Sequence, residues 1–186
     1  MEIDARTGFW RKRASRPASR RRDGTRSWRG GSVTIELAAV VVPFFLLLSG
    51  TVELGLLAVN GAVLDGATRE AARQIRTGQA QGSADPLATF RNRLCQEVAG
   101  MIDCNRITLD VRSFPNFSSV SAPPLYDADG NLQPTSFQPG DAGEVVLVRT
   151  TMRWSFVTPL LSEVIGTGRN LIASIVFRNE PFKGPP

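Results

Sequence analysis

The sequence predicts an α+β protein: a long N-terminal transmembrane helix that continues as an amphipathic helix, then a small extracytoplasmic domain. That domain should hold a second helix and an antiparallel sheet of about three strands. Three observations lead there. Leu37–Val52 is a run of 16 uncharged residues, followed by Glu53 alone and then by eleven more uncharged residues to Leu64. Beyond it Val59, Ala62, Val63, Ala67, Ala71 and Ile75 recur at three- and four-residue steps, with Asn60, Asp65, Arg69, Arg73 and Arg76 between them, which is helical amphipathicity. Toward the C-terminus, runs rich in Val, Thr, Ile and Phe alternate with Gly- and Pro-containing turns, the signature of strands.

The chain opens on a basic leader. Residues 1–31 carry ten basic and three acidic side chains, a net +7, while residues 32–186 carry twelve and fourteen, a net −2. The leader has too few apolar residues to bury a core and is expected to be disordered. Taken alone, such an arm fits nucleic-acid binding. Its position immediately before an apolar span argues instead for a topological role and for no nucleic-acid partner.

Leu37–Asn60 as helix would rise about 36 Å, at about 1.5 Å per residue, enough for a hydrocarbon core of about 30 Å. The positive-inside rule places residues 1–31 in the cytoplasm and the chain from about residue 62 outside. The apolar run is longer than a secretory h-region, and Asn60-Gly61-Ala62 is a weak cleavage site. Arg20-Arg21-Arg22 lies well before the run and is broken by Asp23, a poor twin-arginine signal. The helix is predicted from Ile35 to Arg76, bent at Pro43 and closed by Gly78. The organisation expected is a leader over 1–31, a transmembrane helix over 32–60, an amphipathic extension over 61–78 and an extracytoplasmic α+β domain over 79–186.

Within that domain, Asp85 caps a helix with Pro86 at its first position, running to about Gly100. Arg106–Ser113 alternates as a strand. Residues 114–143 read as loop, and Asp127-Ala128-Asp129-Gly130-Asn131 as an Asp-Gly turn, since no Glu closes it as a calcium loop. Glu144–Val157 reads as a long strand, Thr158-Pro159 opens a short helix through Ile165, and Leu171–Phe177 is the last strand.

The composition excludes much chemistry. The chain has no histidine and two cysteines, which removes imidazole-based catalysis and most zinc sites. No phosphate-binding loop is present. No catalytic residue, cofactor or metal site is expected, and the protein is not expected to be an enzyme. Cys95 and Cys104 both fall on the outer side, where an oxidising compartment favours a disulfide over two free thiols. Glu53 reads either as a carboxylate at headgroup level or as a polar contact between helices in an assembly.

The most informative stretch is Gly30-Gly31-Ser32-Val33-Thr34-Ile35-Glu36, at the entry to the apolar run. It resembles class III prepilin signals: a basic leader, a Gly, a small residue, and Glu at the fifth position of the mature chain. Three further blocks extend the resemblance to the TadE-like family of minor pilins, or pseudopilins, of tight-adherence (Flp-type IV) pili. They are Gly50-Thr51-Val52-Glu53-Leu54-Gly55 with Gly66–Arg73, Pro139–Arg149 with Thr158–Leu161, and Arg178–Phe182. TadE and TadF types are not separated by these blocks.

The resemblance implies a pilin-like fold and processing by a prepilin peptidase between Gly31 and Ser32. It implies an assembly role for Glu36, whose counterpart pairs with the N-terminal amine of a neighbouring subunit. Other pilin or pseudopilin subunits, the pilus assembly machinery and the bacterial inner membrane follow as partners and location. The competing reading is a signal-anchored extracytoplasmic enzyme or binding module of unrelated function.

Overall fold

The computed structural model describes residues 29–182. Of the expected leader, residues 1–28 lie outside the described residues. The elements are α1 (Arg29–Arg76), α2 (Pro86–Val98), β1 (Thr108–Phe114), β2 (Val145–Ser155), α3 (Pro159–Ile165) and β3 (Gly168–Arg178), with single 3-10 turns at Cys104–Arg106 and Phe117–Ser119. The α+β class and the element order agree with the sequence reading. Helix α1 starts at Arg29 rather than Ile35. Gly30 and Gly31 are poor helix formers, but extending an existing helix by a residue is far easier than nucleating one. Pro43 lies inside α1 without ending it.

The chain divides into two compact units at Val40–Val41. In the first, α1 is exposed from Val33 through Val40. The second unit contains the remainder of α1 and every other element, and its architecture is one helical layer on a three-stranded antiparallel sheet of order β1-β2-β3.

Asp85 Oδ1 accepts from the Ala88 amide at 2.9 Å and Pro86 occupies the first turn of α2. Phe90, Leu94 and Val98, at four-residue steps, are buried. They join Leu64, Ala67, Ala71, Ala72 and Ile75 of α1 and the inward residues of the sheet, Val111, Val146, Val148, Met152 and Ala173, in one core. The small residues of α1 let the helix lie close on the sheet. Thr68 Oγ1 reaches Thr150 Oγ1 at 2.6 Å across this contact, a buried hydroxyl pair that satisfies both groups. Arg93 links α2 to α1 through Glu70 at 2.8 Å and also holds Glu97 at 2.9 Å.

β2 is buried on both faces from Val145 to Met152. Its inner residues meet the helices. On the other face Arg149 and Thr151 are covered by the loop between β1 and β2: Tyr126 Oη lies 2.7 Å from Thr151 Oγ1 and Arg149 Nη1 donates to the Pro123 carbonyl. That loop is ordered by its own turn, in which Asp127 Oδ1 accepts from the Asp129 and Asn131 amides at 2.9 and 2.7 Å and Gly130 takes φ 82°. The Asp-Gly turn is therefore as the sequence reads.

Candidate functional site

Helix α1 carries all the residues that the sequence marks for processing and assembly. Gly31 and Ser32 fall in its opening turns, and Glu36 follows on an exposed stretch. From Gly50 onward one stripe of the helix is buried: Gly50, Glu53, Asn60, Leu64, Ala67, Thr68, Ala71 and Ile75. The buried face thus starts at Gly50, inside the expected transmembrane segment, and not at residue 61. Its first members are small or polar, whereas Val52, Leu54, Leu56 and Val59 on the other faces are exposed. Over Gly50–Asn60 the helix is small or polar toward its own domain and apolar outward, the inverse of a surface helix of a soluble protein.

Glu53 is the clearest case. It is 7% exposed, and its carboxylate accepts from the Val157 amide and, at 2.9 Å, from the Thr158 amide. These two amides open α3, where no helical carbonyl can serve them. Glu53 is therefore engaged within its own chain, at the head of α3. Asn60, a turn or two on, turns back to the Leu56 carbonyl at 2.8 Å. A cleft of about 490 Å³ opens beside Glu53, lined by Leu48, Val52, Leu56, Trp154 and Val157 among others.

Cys95 of α2 and Cys104 of the following turn are joined as a disulfide, with Cα atoms 5.4 Å apart. It fastens the end of α2 to the entry of β1. No group of three or more metal-ligating side chains is found among the described residues.

Nothing in the linear pattern of residues signals the ion pair on the outer face of the sheet. Asp110 and Arg149 are opposite each other in the β1–β2 register, 1% and 6% exposed. Arg149 binds Asp110 through Nη2 and, at 3.1 Å, through Nε. Arg112 Nε and the Ser136 amide also donate to the carboxylate, at 3.1 and 3.0 Å. Burial by itself would raise the Asp110 pKa. The hydrogen bonds from Arg149, Ser136 and Arg112 outweigh it and hold the carboxyl below its ordinary value.

The two C-terminal sequence blocks, far apart in the chain, meet in space. The Asn179 side-chain amide donates to the Pro139 and Asp141 carbonyls, both at 3.0 Å, and its backbone amide donates to Glu144 at 2.8 Å. Glu180 donates its amide to the last carbonyl of α1, Arg76, at 2.9 Å, and pairs with the Arg76 side chain. Phe182 lies against Gly78, whose φ of 78° ends the helix.

Residues 31–73 fit the family described as TadE-like protein. The chain carries a TadE-like segment. That segment starts at Gly31 and includes Ser32, Glu36, Glu53 and most of the buried stripe, and it covers less than a quarter of the chain. No curated protein and no solved structure matches the sequence. The match lies on α1, which by length and composition is apolar enough to cross a membrane over Val33–Arg76.

Proposed function

We propose that the protein is a prepilin-like minor pilin, or pseudopilin, needed to assemble a tight-adherence (Flp-type) pilus, and that it is a peptidase substrate and not an enzyme. The observation that carries this reading is the position of Gly31-Ser32 and Glu36 at the head of the apolar helix, where the TadE-like match begins. A prepilin peptidase cutting between Gly31 and Ser32 at the cytoplasmic face removes the basic leader and keeps the span. Glu36 then meets the new N-terminal amine of a neighbouring subunit, which relieves the burial of both charges. Glu53 contributes to assembly indirectly, by fixing α3 against α1. The absence of histidine from the sequence supports the non-enzymatic reading.

In this reading the protein sits in the bacterial inner membrane with residues 1–31 in the cytoplasm and the domain outside, 32–60 bearing the span and 61–78 the extension toward residues 79–186. Co-expression with a prepilin peptidase, followed by sequencing of the mature N-terminus, tests it. Ser32 as first residue is expected. A first residue beyond position 60 would mean a secretory signal and defeat the proposal.

A further inference from the structure

The end of the domain where β2 passes into α3 has an unusual surface. Val157 is 87% exposed and Val164 75% exposed, on a segment that Glu53 holds against α1. Leu161 of the same segment lies 3.8 Å from the position a Cβ on Gly50 would take, so α3 sits directly on the helix. Val157 lines one cleft with the exposed apolar side chains of α1 at this level, Leu48, Val52 and Leu56. Counted from Leu37, where the uncharged run begins, a span of about 20 residues ends at Leu56, within one turn of Glu53. Trp154 lines the adjoining cleft, at the level where bilayers collect tryptophan.

Charge completes the pattern. Arg106 Nη2 donates to the Arg153 carbonyl at 2.6 Å, and Arg169 pairs with Trp154 in the β2–β3 register. All three arginines are exposed at this one end of the sheet, and across residues 153–169 the acidic side chain is Glu163 alone. Isolated exposed valines need no explanation. Valines level with the end of an apolar span and flanked by three arginines fit a surface that is apolar inside and anionic at its rim.

We propose that Phe156–Ile165 is a membrane foot: Val157 and Val164 enter the headgroup–acyl boundary of the bilayer that α1 crosses, and Arg106, Arg153 and Arg169 bind its anionic phosphates. This rests on the membrane-anchored reading of α1. The foot fixes the height and the rotation of the domain over the bilayer, because a second contact beside the helix removes its freedom to spin about the span.

The test uses the full-length chain reconstituted in vesicles of phosphatidylcholine, with and without phosphatidylglycerol. Spin labels are placed singly through Leu47→Cys, Val157→Cys, Val164→Cys and Phe117→Cys; the native cysteines are bonded to each other. Labels at 157 and 164 are expected about 5–10 Å below the phosphates, the label at 117 in water, and the label at 47 in the hydrocarbon. Phosphatidylglycerol should draw the 157 and 164 labels deeper, and the combined Arg106→Gln, Arg153→Gln, Arg169→Gln variant should lose that shift. A 47 label in lipid with 157 and 164 labels in water overturns the foot and leaves the anchor standing. A 47 label in water defeats the anchored reading itself. Equal depths with and without phosphatidylglycerol overturn the phosphate contact.

Discussion

Glu53 in the middle of α1 and Thr158 at the head of α3 stand 105 residues apart in sequence and are joined by a carboxylate-to-amide hydrogen bond of 2.9 Å. The bond lets an apolar helix carry a buried carboxylate, because the Val157 and Thr158 amides donate to it at the head of α3, where no helical carbonyl can serve them. It fastens the head of α3 one turn beyond Gly50, where the buried face of the helix begins.

Replacing Glu53 with Ala should release α3, since the Val157 and Thr158 amides lose their acceptor. Limited proteolysis of the full chain should then cut between residues 156 and 168 faster than in the wild type. Glu53→Gln keeps one oxygen and should fall between the two. Equal cutting rates for all three would remove the latch from the account.

Asp110→Asn should cost on the order of 3 kcal/mol, because it strands the buried Arg149. The pH dependence has a defined sign. The folded carboxyl is held below its unfolded value of about 3.9. The pair therefore contributes fully above that value, and its contribution is lost as pH falls through the lower folded value. Thermal unfolding followed from neutral to acid pH should show a decline in the wild type that is flattened in Asp110→Asn.

Reducing the Cys95–Cys104 bond, or replacing both residues with Ser, should lower stability by about 2–3 kcal/mol, the loop-closure value for so short a loop. For a chain of this size that is roughly 5–10 °C in Tm, read by thermal melts with and without reductant. The double Ser variant should show no reductant effect.

Gly78→Ala places a side chain at φ 78° and against the Phe182 ring. An L-residue in the left-handed region costs about 1–2 kcal/mol, and displacement of the ring adds to it. Chemical denaturation should show a lower midpoint. A Gly78→Ala, Phe182→Ala pair should lose less than the sum of the two singles, because the clash is counted only once.

At the processing segment, Gly31→Leu should abolish cleavage by a prepilin peptidase, read as persistence of the precursor band. Glu36→Ala should leave cleavage intact and reduce pilus yield. Unchanged cleavage of Gly31→Leu would move the assignment elsewhere.

Local signals carried the element order. The Asp85-Pro86 cap, the four-residue spacing of Phe90, Leu94 and Val98, and the β-branched run of β2 each declared an element from within a few residues. The start of the buried stripe at Gly50 was not legible. Its members, Gly50, Glu53 and Asn60, interrupt an apolar run, and hydropathy cannot tell a polar residue turned toward lipid from one turned toward a folded domain. Asp110 and Arg149 were hidden for a different reason: alternation assigns a strand residue to a face, but only the pairing register sets it opposite its partner. The membrane foot needed both kinds of information, since Arg106, Arg153 and Arg169 come together only when three strands align.

The hydrogen bond from Glu180 to the end of α1 gives the C-terminal block a significance its sequence alone does not show. The exit of the last strand is tied to the end of the first helix, so the two elements most distant in the order of the fold share one fastening. A truncation after Phe177 is therefore no trimming of a tail. It would uncap α1, strip Asn179 from the loop carbonyls and reopen the core at the Arg76 end of the helix.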